Sequence, residues 1–221
     1  MSAVSEWIVR EYFESLGFLV RQPRKYQVSA RPKQVEEEID LLVVNPSVTE
    51  QNLSEAALWG AADLKHVSRA IVGVRGWHTE RFSPAVIELS PEIFRFADST
   101  AMKSTVRDIG PGPVAKILCL PELPTSPDMR DKALSLFKER GIDGVLMFRT
   151  MLLELAGHVD VNKNYEKSDL LQMLRILKNY DLLKGAQMDL FRKSPGKRKV
   201  KVETAARPGA MTNDEARMTN E

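Results

Sequence analysis

The stretch "AIVGVRGW", residues 70–77, constrains the fold most strongly. Ala70, Ile71, Val72 and Val74 are small or β-branched apolar residues, and the run reads as a buried strand. Such a strand needs a sheet around it and helices to cover it. Gly73 and Arg75 alternate with Val74, so they point to the face opposite Val72 and Val74.

The rest of the chain supplies those partners. Residues 5–16 carry Ile8, Val9, Tyr12, Phe13 and Leu16 at helical spacing, and Gly17 is placed to end that helix. "FLVRQ" and "KYQVSA" read as extended, with Pro23 between them. "EEEIDLLVV", residues 36–44, is a second strong strand, stopped by Asn45 and Pro46. Residues 47–66 mix loop and helix signals. After the strand at 70–77, residues 83–108 read as mostly helix, broken near Pro91, and "PGP" at 111–113 is a turn. "AKILCLP" is a strand. "SPDMRDKALSLFKERG" is a helix with a cap-like Ser126, Pro127 at its first position and Gly141 at its end. "DGVLMF" is a strand, and "RTMLLELAGHV" and "SDLLQMLRILKNY" are helices. One helix, three strands and then alternating helix and strand predict an α/β fold, a mixed central sheet flanked by helices.

Charge is unevenly placed. The chain of 221 residues carries a formal +2, whereas residues 192–221 hold eight Lys/Arg and four Asp/Glu, a net +4. The body, residues 1–191, is left with −2 and is not globally basic. Any affinity for nucleic acid must therefore come from a local patch or from the tail. Apolar content collapses after Phe191, and "RKSPGKRKVK" has six basic residues in ten, so residues 192–221 read as a disordered basic tail. The single cysteine, Cys119, lies in the apolar run "KILCL" and reads as a buried core thiol. The first eighteen residues are too charged for a signal peptide, and no apolar run approaches the roughly 20 residues that cross a bilayer. A cytoplasmic protein without membrane partners is expected.

Three pieces taken together, Glu6 on the first helix, Asp40 in "EEIDLL" and the strand "AIVGVRGW", resemble the restriction-endonuclease-like superfamily with its PD-(D/E)xK signature. The nearest echo is the Holliday-junction-resolvase-like branch, whose middle motif reads Glu-Ile-Asp-Leu. The resemblance covers residues 5–80 and implies a restriction-endonuclease-like core. In that family a helix glutamate, a strand aspartate and the acid of the next strand gather Mg²⁺. A lysine two residues after that acid helps to activate or position the attacking water. Hard oxygen ligands suit Mg²⁺, and the metal neutralises charge and generates hydroxide for phosphodiester hydrolysis. Carried over, Glu6 takes the place of the helix acid and Asp40 that of the strand aspartate, with Glu38 adjacent on the same face. The third acid is replaced by Gly73 and the lysine by Arg75. Glycine offers no ligand, and arginine stays protonated, so it can hold a phosphate but cannot act as a base. Asp40 is the one dependable metal carboxylate that remains. Arg75 is then either a phosphate contact or half of a salt bridge with Asp40.

Other residues carry weaker patterns. "DLK", Asp63 to Lys65, repeats the acid-x-Lys pattern, but its flanks are poor strand material and favour a helix or loop. Arg21, Arg24, Lys25, Arg31 and Lys33 surround Tyr26 and could contact a nucleic-acid backbone or form a solvated strand face. Lys197, Arg198 and Lys199 lie at the centre of the tail's basic run. "EKSDLLQMLRILKNYDLL" superficially resembles a winged-helix recognition segment, yet its Leu/Ile spacing favours core packing. His66, His78 and His158 have no metal-ligand spacing, and no Gly-x-Ser-x-Gly turn is present. Three functions follow as expectations. The first is a degenerate nuclease-like module that binds DNA or RNA or acts as a scaffold, without a cofactor. The second is an active Mg²⁺-dependent endonuclease with a relocated acid. The third is a protein-interaction module without nucleic acid.

Overall fold

A computed structural model describes residues 3–23, 39–183 and, for the backbone, 184 and 187–188. The elements in chain order are α1 (Ala3–Ser15), β1 (Leu19–Arg21), β2 (Leu41–Val44), β3 (Leu58–Trp59), α2 (Ala61–Leu64), β4 (Arg69–Val74) and α3 (Pro84–Leu89). A 3₁₀ segment (Pro91–Ala97) follows, then α4 (Ser99–Ile109), β5 (Ala115–Leu120), α5 (Pro127–Glu139), β6 (Gly144–Met147), α6 (Phe148–His158) and α7 (Asp169–Asn179). Leu183–Lys184 (β7) and Gln187–Met188 (β8) form a small antiparallel pair.

Six strands make one mixed sheet in the order β1-β2-β4-β5-β6-β3. β2 runs antiparallel to both of its neighbours, β1 and β4, while β4, β5, β6 and β3 are mutually parallel. The α/β class with a mixed, helix-flanked sheet is therefore as the sequence predicts. The parallel half is the buried half, as the near-continuous apolar runs of β4 and β5 require.

Alternation along the strands sorts the core into two layers. Leu41, Val43, Val72, Val74, Ile117 and Cys119 face α1 and α6. Leu42, Ile71, Leu118, Leu120 and Val145 face Ile87 of α3, Ile93 and Phe96 of the 3₁₀ segment, and Ala133 and Phe137 of α5. Val9, Tyr12 and Phe13 of α1 are fully buried, which is why the apolar spacing of residues 5–16 is a reliable helix signal. Gly17 ends α1 at φ +87°, a left-handed conformation that a side chain disfavours. Ser126 precedes α5, but its side chain makes no capping hydrogen bond, and Pro127 at the first helical position starts the helix.

Two stretches depart from the sequence reading. Residues 47–66 contain a two-residue edge strand, β3, and the short helix α2, so the strand at 69–74 is the fourth and not the third. Trp59 of β3 is buried beside β6, a contact far away in sequence that local pattern does not encode. The helix read across 83–108 is three pieces, with Pro91 opening the 3₁₀ turn. "KYQVSA" and the tail at 192–221 lie outside the described residues.

Candidate functional site

Asp40 stands just before β2, opposite the end of β4. Leu41 pairs with Val72, and the Asp40 amide donates to the Val72 carbonyl at 3.2 Å, which brings the start of β2 beside Gly73. The carboxylate of Asp40 is fully buried. Its Oδ2 accepts the Val74 amide at 2.7 Å and the Arg75 guanidinium at 3.1 Å. Of the two readings open for Arg75, the salt bridge with Asp40 is the observed one.

The guanidinium is itself enclosed. Arg75 is only 2 % exposed. Its Nη1 also donates to the Val74 carbonyl at 3.1 Å, and its Nη2 donates to the carbonyls of Glu92 and Ile93 at 3.2 and 3.0 Å. The Phe96 ring lies under it, 5.6 Å from ring centroid to guanidinium carbon. A planar cation with several fixed donors fits this set of carbonyls and one carboxylate, which a lysine could not satisfy in the same way.

Gly73 is a packing requirement. A Cβ at this position would lie 2.5–2.7 Å from three atoms of the Phe96 ring. A glutamate or aspartate, the residue a metal-gathering strand would carry here, cannot enter unless Phe96 moves. Phe96 is the residue that sequence reasoning missed. Nothing local marks it, because its role depends on the 3₁₀ segment folding back over the end of β4.

The remaining candidates are placed as follows. Glu6 sits half-buried on α1, in the layer on the other face of the sheet from the 3₁₀ segment, and its carboxylate accepts a hydrogen bond from Gln22. Asp63 and Lys65 do not lie on a strand. Asp63 is in α2, where its carboxylate accepts the Gly60 amide at 2.9 Å, so the second acid-x-Lys pair caps a helix. Arg21 pairs with Asp108 at 3.4 Å. His78 points its Nε2 at the Ser5 hydroxyl, 3.0 Å away, and packs edge-on against Phe148. Leu170 and Leu174 of α7 are buried, which accounts for the core-like spacing of that segment. Glu38, Arg24, Lys25, Arg31, Lys33, Lys197, Arg198 and Lys199 lie outside the described residues.

Electrostatics close the picture. Cys119 on β5 is buried, as its apolar run predicts, and burial first and the Asp40 charge second push its thiol pKa well above the ordinary value. This is an unreactive thiol. A Cβ at Gly73 would meet the Phe96 ring, and Oδ2 of Asp40 already accepts an amide and a guanidinium. Among the described residues no group of three His, Cys, Asp or Glu is placed to hold a metal ion. What the arrangement can do is lock the end of β4 to β2 and to the 3₁₀ segment. Set against family models, curated proteins and solved structures, the chain matches none of them.

Proposed function

We propose that this protein is a catalytically degenerate, restriction-endonuclease-like module that binds nucleic acid through charges outside the old catalytic face. One observation carries the reading: where the resembled family gathers a metal, a buried Arg75 neutralises Asp40 and Phe96 fills the space beside Gly73. The order of one helix, an antiparallel strand group and then parallel strands supports the resemblance in layout. Binding is assigned to nucleic acid because the tail's +4 stands against a body of −2, with Lys197, Arg198 and Lys199 at its centre and Arg24 and Lys25 as a second cluster. No membrane role enters this reading, since among the described residues no helix is long and apolar enough to cross one.

The test uses the purified full chain. With Mg²⁺ or Mn²⁺ it should leave linear, branched and single-stranded DNA uncut. It should bind DNA or RNA at low salt with an affinity that falls steeply as salt rises, and deletion of residues 192–221 should weaken binding and flatten that dependence. Chelator-sensitive cleavage lost in Glu6→Gln or Asp40→Ala would restore the active-nuclease alternative. Binding by neither form would leave the protein-interaction module.

A further inference from the structure

Helix α7 has two apolar faces. One packs on the core: Leu170 and Leu174 are buried, and Leu171 and Leu177 lean partly against the same layer. The other is open. Met173, Ile176 and Tyr180 are 57, 44 and 74 % exposed, and Leu182, just past the helix, is 43 % exposed. At about 100° per residue, the three on the helix lie about a quarter turn from its core face. Large apolar side chains grouped on one surface mark contact sites, whereas single scattered ones need no explanation.

The stripe has the spacing of a helix–helix seam. Asp169, Met173, Ile176 and Tyr180 follow one another at intervals of four, three and four residues, the alternation with which two helices interlock their side chains. Its far end is fixed. Asp181 takes a left-handed conformation, φ +55°, and the amides of Asp181 and Leu182 donate back to the carbonyls of Lys178 and Leu177 at 3.0 and 2.9 Å. Among the described residues no other non-glycine residue has a positive φ, so an aspartate stands where glycine would be easier.

Charge narrows the occupant. The stripe begins at Asp169 and is closed by Asp181, both exposed and neither in an ion pair among the described residues. The cations of α7, Arg175 and Lys178, lie on the opposite flank and donate to the carbonyls of Val161 and Val159 at 2.9 and 2.5 Å. A second copy of this chain matches poorly. Antiparallel pairing would set Asp169 against Asp181, and parallel pairing would set each acid against its own twin. Phosphate groups of nucleic acid or anionic lipid are repelled by the same two acids.

We propose that this stripe docks an amphipathic helix of a partner protein, one with apolar residues at the same three–four spacing and a basic residue near each end. Met173, Ile176 and Tyr180 meet its apolar seam, and Asp169 and Asp181 meet its end charges. This docking uses none of the residues assigned above to nucleic acid.

The experiment titrates the folded full chain into a fluorescently labelled peptide of about four helical turns and follows anisotropy. The peptide carries leucines at three–four spacing and lysines in its first and last turns. Saturable one-to-one binding is expected. A peptide with the leucines scrambled should not saturate, and one with glutamines in place of the lysines should bind several-fold more weakly. Ile176→Asp changes an exposed side chain and should weaken binding roughly tenfold or more, with the circular dichroism of the parent retained. Asp169→Asn with Asp181→Asn should weaken it a few-fold and flatten its salt dependence. Absence of saturable binding to the parent chain would overturn the proposal, as would equal affinity for the scrambled peptide or undiminished affinity in both folded variants. Self-association of the parent in sedimentation, lost in Ile176→Asp, would give the stripe to a second copy instead. Binding to anionic lipid vesicles, lost in the same variant, would give it to a membrane.

Discussion

Asp40 and Glu11 are both acids with little exposed surface, and they differ in how their charge is met: the Asp40 carboxylate is fully enclosed, whereas the Glu11 oxygens reach solvent. Asp40 has a backbone amide and a guanidinium on one oxygen, and that guanidinium is held in turn by three carbonyls. Glu11 has an open cleft and no partner among the described residues. Glu154 falls between them, since it receives the hydroxyl of Tyr12, a neutral donor. Burial alone therefore does not mark a ligand site. The three acids call for three different costs of removal, and that ordering can be measured.

The largest effect belongs to the Arg75–Asp40 pair. Truncating Arg75 to Met takes the guanidinium from a fully buried carboxylate, and losses on breaking buried pairs run to about 3–5 kcal/mol. Chemical denaturation of Arg75→Met should show a loss of that size. Arg75→Lys should recover only part of it, because an ammonium cannot reach the Val74, Glu92 and Ile93 carbonyls together. A loss below about 1 kcal/mol would mean that the pair behaves as a solvated one.

Next comes Gly73. Adding only a methyl group, Gly73→Ala, forces Phe96 away from β4 and should cost about 1–3 kcal/mol, the range for overpacking a core. Phe96→Leu in the same chain should return part of that stability. The pair Gly73→Glu with Arg75→Lys, which writes the catalytic pattern back into the strand, should give no gain in Mg²⁺ or Mn²⁺ affinity by calorimetry. A clear gain would show that Phe96 yields and that Asp40 is still poised for metal.

These positions also show what a sequence can and cannot reveal. α1, β2, β4, β5 and β6 are legible because each has a periodic apolar pattern that matches its own geometry. The pairing of Asp40 with Arg75 was one of two readings, since adjacent strands with an acid and a base on the same face leave few other partners. β3 escaped notice because two residues carry no period, and its place beside β6 is fixed by contacts distant in sequence. Phe96 escaped for the same reason. In an amphipathic stretch such as 91–97 it reads as core, and nothing says that its ring sits where a carboxylate would otherwise enter. Glu11, a lone acid beside a buried stripe, looks in the sequence like any surface glutamate of a helix.

A smaller effect is expected at the acid met by a neutral donor. The Tyr12 phenol pKa is raised well above its ordinary value, first by burial and then by the hydrogen bond to Glu154. With the folded pKa above the unfolded one, this contribution is fully present below about pH 10, the unfolded value, and is lost as pH rises beyond it. Tyr12→Phe should cost about 1 kcal/mol at neutral pH. The gap between parent and variant should close in denaturation series taken above pH 10. A gap that widens with alkali would reverse the sign and exclude the neutral phenol as donor.

The smallest effect, and the sharpest test of the comparison, is expected at Glu11. Among the described residues the Glu11 side chain makes no hydrogen bond or ion pair, and its oxygens reach solvent, so it has little to lose when its charge is removed. Glu11→Gln keeps the shape and should leave stability unchanged within about 0.5 kcal/mol. The substitution is thus nearly silent, the reverse of what Arg75→Met should do. A loss at Glu11 comparable to that at Arg75, measured by the same chemical denaturation, would show that Glu11 is a structural acid like Asp40 and that the contrast between the two carboxylates does not hold.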